Sequence, residues 1–249
     1  MSHPFFIIEL KSDFSLDDCI DFINSVTENG NKVFRNLFVA LPFLRLKEMT
    51  GAFPMSGITF GTALMNNADP GSFTAVVAGK MIKEAKGQFT LIGSAYERNR
   101  LGLSDEQLKN KLQEAAQSEL KTIFCVGGGK EIGEEALFQQ LELLKESKVI
   151  ENDLHPTLIY ELPFQNFQSY LPNEEELNTA ANLIKNGLEK VFTQKFAILV
   201  ALPSDLIGFS SLMEALPFDG AFFIKSGTYP HAIHDETIKL VHVHCEEKP

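Results

Sequence analysis

The chain has 249 residues, of which 44% are hydrophobic and 22% charged, so it has enough apolar material for one hydrophobic core. Its 22 basic and 33 acidic residues give a formal net charge of −11, which argues against nucleic acid or an anionic membrane surface as a partner. The net charge does not exclude a small anionic ligand, because one local cation or helix N-terminus is enough to bind it.

Short apolar runs alternate with amphipathic stretches along the chain. In chain order, the predicted strands are Phe5–Leu10, Leu37–Leu41, Gly57–Thr62, Phe89–Gly93, Thr122–Val126, Leu158–Glu161, Ala197–Ala201 and Ala221–Ile224. Near-continuous apolar runs of this kind are typical of parallel strands covered by helices. Eight strand–helix units predict either a doubly wound sheet or a closed (β/α)₈ barrel, and a barrel needs about 250 residues. No linker indicates a boundary, so residues 1–249 are predicted to form a single domain.

The helix starts are readable from pairs of an N-cap residue and a polar residue three positions later. Three such pairs are Ser15 with Asp18, Ser104 with Gln107, and Asn173 with Glu176. In each, the first side chain accepts a backbone N–H of the first turn and the second reaches back to the cap. Apolar residues at helical spacing then predict a helix from Ser104 to Leu120, with Lys and Glu on its other face.

Local segments decide between the two architectures. Gly71-Ser72-Phe73-Thr74 and Met81-Ile82-Lys83-Glu84 are similar to the G-A-F-T-G-E and M-I-K-D segments of the triosephosphate isomerase family. The same register continues through Ile92-Gly93, Gly102, Ser104-Asp105-Glu106, Cys125-Val126-Gly127, Tyr160-Glu161 and Asp219-Gly220. Val39–Leu46 resembles the family's second strand. The resemblance implies a single (β/α)₈ TIM barrel whose active site lies at the C-terminal ends of the strands.

The resemblance also assigns two catalytic residues. The family combines a Glu base, a neutral His electrophile, a Lys and a closing loop. Glu161 matches the base, and Lys11 falls at the lysine of the family's N-W-K segment. The alternative is that Glu161 and Lys11 form an ion pair without a catalytic role.

The family's G-H-S-E-R-R segment differs in this chain. In ungapped register Ser94 takes the position of the His, and Tyr96 takes that of the Glu. A one-residue shift aligns Glu97-Arg98 with the family's E-R but still supplies no His. Serine donates a hydrogen bond but does not shuttle protons near neutral pH as imidazole does. Glu97, Arg98 and Arg100 are predicted to form a solvated turn or a salt-bridge set at the rim.

The phosphate-binding segments are altered as well. The lid segment Leu162–Tyr170 lacks both family glycines, and Y-G-G-S-V becomes Val200–Ser204, in which Pro203 has no N–H. Lys225, beside Ile224 at the family's G-G, is a candidate cation for an anionic ligand, and Ser204 is a second candidate. Glu9 replaces the Asn of N-W-K, which places an extra carboxylate beside Lys11.

Three functions are compatible with these residues. The first is a triosephosphate isomerase-like protein with lost or strongly reduced interconversion of glyceraldehyde 3-phosphate and dihydroxyacetone phosphate, acting as a pseudoenzyme or binding protein. The second is an isomerase or lyase acting on another small carbonyl compound with Glu161 as base. The third is a divergent but active triosephosphate isomerase of glycolysis. The predicted partners are a small anionic or carbonyl metabolite and a second copy of the chain, docked through residues 63–74.

Other signals are weak. Gly127-Gly128-Gly129-Lys130 lacks the spacing of a phosphate-binding loop, so a flexible turn is predicted. His242, His244 and Cys245 have no second cluster, so no metal is predicted, and no cofactor. Three distant cysteines and the lack of a signal segment or long apolar run predict a cytoplasmic protein without a membrane span.

Overall fold

The computed structural model describes residues 5–66, 76–128, 133–151, 153–162, 172–203, 217–225 and 234–246. Eight parallel strands form a closed barrel in which each strand pairs with the next and the last pairs with the first. The strands are β1 (Phe5–Leu10), β2 (Leu37–Leu41), β3 (Thr59–Thr62), β4 (Phe89–Ile92), β5 (Lys121–Gly127), β6 (Thr157–Glu161), β7 (Ala197–Pro203) and β8 (Gly220–Lys225). The closed sheet with intervening helices confirms the predicted (β/α)₈ barrel.

The described helices lie between these strands and after β8. They are α1 (Leu16–Thr27), α2 (Phe43–Ala52), α3 (Gly79–Glu84), α4 (Asp105–Gln117), α5 (Glu134–Ser147), α6 (Glu174–Val191) and α7 (His234–Cys245). A π-helix, Tyr96–Arg100, lies between β4 and α4. All three predicted capping boxes are present, at the starts of α1, α4 and α6. Within the described part of the chain, no helix is long and apolar enough to cross a membrane.

Strand β3 begins two residues later than predicted, because Gly57 belongs to a turn. Its φ is +72°, and a Cβ at this position would lie 2.2 Å from the Phe34 carbonyl oxygen. Glycine is the residue that adopts such a left-handed conformation without steric cost. The chain therefore enters the barrel wall only after this turn, at Thr59.

Phenylalanine fills the N-terminal part of the barrel interior. The Phe38 ring packs 4.4 Å from Phe5 and 5.2 Å from Phe89, between ring centroids. Gly61 makes room for this cluster, since a Cβ there would lie 2.4 Å from a ring carbon of Phe89. Among the described residues, these three rings supply aromatic packing inside the barrel of a chain that has no Trp.

The interior becomes polar at the other end of the strands. Successive strand residues point to opposite sides, so the interior series on β1 continues from Ile7 to Glu9 and that on β6 from Ile159 to Glu161. Both carboxylates are buried. The fold thus places two carboxylates at the C-terminal mouth of the barrel, where the active sites of TIM barrels are built.

Helix α7 is attached to the chain after α1 by polar contacts. Lys32 Nζ lies 2.9 Å from Glu28 and 3.0 Å from Glu246. The ring of His242 lies over Phe34, and its Nε2 donates to the Val26 carbonyl oxygen at 2.6 Å, because a carbonyl only accepts. His242 therefore holds α7 against α1 and the residues that follow α1.

Candidate active site

Glu161, the last residue of β6, has the features of a buried proton acceptor. Its side chain is 5% exposed, and Oε2 accepts a hydrogen bond from the Ala95 N–H at 2.6 Å. Arg98 Nη2 lies 3.5 Å from the same oxygen. Burial raises the pKa of Glu161 to about 7, against the lowering effects of Arg98 and the Ala95 hydrogen bond. A carboxyl that titrates near neutral pH is suited to general acid–base chemistry.

The glycine turn after β5 packs against this carboxylate. The Gly128 N–H donates to the Glu161 carbonyl oxygen at 2.8 Å, and the φ of Gly128 is +68°. A Cβ on Gly128 would lie 2.3 Å from Ala95 Cβ and 3.0 Å from Glu161 Oε2. Gly128 therefore leaves the space in which the Glu161 carboxylate meets the Ala95 amide. Gly129 and Lys130 lie outside the described residues.

Glu97 forms a buried ion pair beside the site. Its side chain is fully buried, and Oε2 accepts from the Gly93 N–H at 2.7 Å and the Ser94 N–H at 3.2 Å. Oε1 contacts Nζ of Lys111, which is also buried. Of the two alternatives for this segment, the solvated turn is thus wrong for Glu97 and for Arg98, whose side chain is 13% exposed, whereas both residues take part in ion pairs.

The π-helix explains why the Glu97 and Arg98 side chains are buried. Its i→i+5 hydrogen bond joins the Leu101 N–H to the Tyr96 carbonyl oxygen at 3.0 Å, and this wide turn directs Glu97 inward. Tyr96 is 53% exposed, and Arg100 is exposed as predicted. The buried glutamate of this turn is therefore Glu97.

Ser94 is half-buried at the start of this turn. Its Oγ accepts from the Glu97 N–H at 3.3 Å, so the hydroxyl caps the π-helix. Its oxygen is thereby engaged in a local backbone contact. This contact differs from the part that the family's His plays in catalysis.

Lys11 lies directly after β1 and is paired with its neighbour on that strand. Its Nζ lies 2.5 Å from Glu9 Oε1. The alternative ion pair between Lys11 and Glu161 is wrong: among the described residues, Lys11 pairs with Glu9 and Glu161 with Arg98. Glu9 is only two residues from Lys11, whereas Arg98 reaches Glu161 from the π-helix. The ammonium at the mouth is therefore already neutralised by a carboxylate.

The two predicted ligand-binding residues are described only in part. Lys225 ends β8 in register with Leu10, which places its backbone at the C-terminal mouth next to the Lys11 segment. Its side chain, Ser204, the lid residues 163–170 and residues 67–74 of the predicted dimer loop lie outside the described residues.

Sequence reasoning missed Arg98, Ala95 and Gly128 as neighbours of Glu161. The E-R pair in the shifted alignment was the available signal for Arg98, because it marks a glutamate and an arginine at a strand end. Contact between residues so distant in the chain requires the barrel and the π-helix together.

The protein is a TIM barrel. Its C-terminal mouth carries a buried glutamate at the end of β6 and a lysine directly after β1. The family model described as triosephosphate isomerase matches residues 4–161, which is more than half of the chain. The chain belongs to the triosephosphate isomerase family.

Individual relatives are similar at modest identity. The chain is 28% identical over 127 residues to the triosephosphate isomerase of Alkaliphilus metalliredigens, covering 51% of each chain. It is 30% identical over 131 residues to that of Pseudoalteromonas translucida, covering 53% of this chain and 49% of the relative. With that of Protochlamydia amoebophila it shares 31% over 91 residues, which are 36% of this chain and 34% of the relative. The chain thus spans about half the length, or less, of these curated relatives.

Proposed function

We propose that this protein is a triosephosphate isomerase-like protein in which interconversion of glyceraldehyde 3-phosphate and dihydroxyacetone phosphate is lost or strongly reduced. Its mouth would then serve to bind a small anionic or carbonyl metabolite. The observation that carries this proposal is the ion pair between Lys11 and Glu9, with 2.5 Å between Nζ and Oε1. A lysine held in this way has less positive potential to offer a ligand.

The charges around the Lys11–Glu9 pair are expected to weaken the binding of phosphorylated substrates. Glu9 offsets the positive charge of Lys11 at the mouth, and Glu161 repels an anion when it is ionised. Two like unit charges 4 Å apart repel by about 4 kcal/mol at an effective dielectric constant of 20. An enediolate is itself anionic, so its stabilisation by Lys11 is opposed by the adjacent carboxylate.

The position of the family electrophile supports the same conclusion. Ser94 caps the π-helix, and a hydroxyl does not replace an imidazole in proton transfer. Loss of one such acid–base group typically lowers the rate by about 10²–10⁴-fold. A neutralised lysine and a missing imidazole together predict a slow isomerase.

Replacing Glu9 by asparagine is expected to raise kcat/KM for glyceraldehyde 3-phosphate about tenfold. The change removes the charge beside Lys11 and restores the family's residue type, and about 1.4 kcal/mol of regained transition-state stabilisation gives a factor of ten. A coupled steady-state assay measures the effect. Glu134→Asn is the matched control, because it removes a carboxylate from the exposed pair with Lys190. An unchanged kcat/KM in folded Glu9→Asn protein would show that the pair does not limit activity.

A second candidate function is base-catalysed proton transfer on another small carbonyl compound. The environment of Glu161 favours it, since the carboxylate is buried and its pKa is raised to about 7. A neutral substrate would avoid the repulsion from Glu9. Under this proposal Glu161 is the base and the Ala95 amide and Arg98 hold it in place.

We also propose a homodimer and a cytoplasmic location. Membership in the family supports a dimer through residues 63–74, and sedimentation of the purified protein tests it. Three buried cysteines with free thiols support a reducing compartment, which imaging of the tagged protein tests.

A further inference from the structure

We propose that Arg98 is the positioning residue of this site, whose guanidinium holds the Glu161 carboxylate against the ends of β5 and β6. The inference rests on the proposed role of Glu161 as the functional carboxylate. It assigns a function to a side chain that the sequence placed in a solvated turn or a salt-bridge set at the rim.

The contacts of Arg98 reach two strand ends at once. Nη1 donates to the Cys125 carbonyl oxygen at 3.0 Å, and Nη2 donates to the Gly127 carbonyl oxygen. Nη2 also lies 3.5 Å from Glu161 Oε2. The neighbouring Asn99 donates from Nδ2 to the Gly128 carbonyl oxygen at 2.7 Å, so the π-helix clamps the whole turn after β5.

An arginine suits this arrangement better than a lysine. Its planar fork presents several N–H donors in fixed directions, so one head group serves two carbonyls and a carboxylate together. A lysine ammonium keeps the charge but lacks the fork. The side chain is largely buried, so these contacts compete little with water.

Arg98 also determines the charge balance around Glu161. Among the described residues that act electrostatically on this carboxylate, Arg98 is cationic, and Glu9 and Glu97 are anionic. The Cys125 thiol from β5 is neutral at ordinary pH, because burial raises its pKa well above its usual value. Without Arg98, burial and the two carboxylates would favour the protonated form of Glu161.

A titration of the free protein tests the proposal. The δ-carboxyl signal of Glu161 is followed by ¹³C NMR, with Glu161→Gln used for its assignment. The wild type is expected to titrate at about 7. Arg98→Gln should raise the midpoint by about one unit or more, since an opposite charge nearby typically shifts a carboxyl by 1–3 units. Arg100→Gln, an exposed arginine of the same π-helix, is the control and should leave the midpoint unchanged.

A midpoint in Arg98→Gln that stays within a few tenths of the wild-type value would overturn the proposal, even if the melting temperature falls. If that variant does not fold, Arg98→Lys decides. Faster hydrogen exchange at the Ala95 amide is expected there, because the carboxylate that accepts its hydrogen bond is no longer held by the fork. An Ala95 amide that exchanges in Arg98→Lys as slowly as in the wild type would contradict the proposal.

Neither the titration nor the hydrogen-exchange measurement requires the protein to turn over a substrate. If Glu161→Gln leaves every activity unchanged while Arg98→Gln shifts the titration, the second candidate function, in which Glu161 is the base, fails and the role of Arg98 stands.

Discussion

Replacing Lys111 by methionine is expected to lower the free energy of unfolding by about 3–5 kcal/mol, because it leaves Glu97 as a buried charge without its counterion. Glu97 is fully buried and Lys111 is 4% exposed. The carboxylate also accepts the Gly93 and Ser94 N–H groups, so its displacement would disturb the turn that carries the Ala95 amide. Urea unfolding followed by circular dichroism measures the loss.

Two further variants separate the charge effect from packing. Lys109→Met lies on the same helix, in an exposed pair with Glu146, and should cost less than about 1 kcal/mol. The double variant Glu97→Gln with Lys111→Met should regain much of the stability, since it removes both buried charges. Equal losses of stability in Lys109→Met and Lys111→Met would show that the buried ion pair stabilises the protein no more than the exposed one.

Glu161→Gln is expected to lower any turnover of a carbonyl substrate by about 10²–10⁴-fold, as for the loss of a general base. The amide matches the carboxylate in size and still accepts the Ala95 hydrogen bond, but it does not take up a proton. A thermal-shift screen with small carbonyl metabolites supplies candidate substrates, on which wild type and variant are compared. Glu134→Gln, an exposed carboxylate, is the control. Equal rates in Glu161→Gln and wild type would exclude Glu161 as the base.

The pH dependence of both activity and stability follows from the same carboxyl. Its pKa is raised from 4.5 to about 7, so the rate of base catalysis should rise with pH to a plateau above about 7. Between these values the folded protein holds a proton that the unfolded chain has lost. The stability of the wild type should therefore fall as the pH rises through this window, and that of Glu161→Gln should fall less. Identical pH slopes of stability would contradict a raised pKa.

Local features made much of the barrel predictable. Strands such as Phe5–Leu10 are apolar runs bounded by polar residues, and Ser15, Ser104 and Asn173 cap helices through contacts three residues away. The sequence also placed an extra carboxylate, Glu9, beside Lys11, and in the structure the two side chains form an ion pair.

The rest of the site depends on geometry that local patterns do not contain. Lys111 looked like part of the polar face of α4, yet it is buried to neutralise Glu97. The π-helix turns Glu97 and Arg98 inward, and no periodicity in Tyr96–Arg100 indicates that widening. The alternative ion pair between Glu161 and Lys11 is wrong because Arg98 reaches Glu161 from this π-helix.

The steady-state kcat/KM of the wild type for glyceraldehyde 3-phosphate, in a coupled assay, tests the central claim most directly. Efficient triosephosphate isomerases approach the diffusional ceiling of about 10⁸–10⁹ M⁻¹s⁻¹. With Lys11 paired to Glu9 and Ser94 in place of an imidazole, we expect a value below about 10⁵ M⁻¹s⁻¹. A value within about a hundredfold of the ceiling would contradict the account and would assign the protein to glycolysis as an active isomerase.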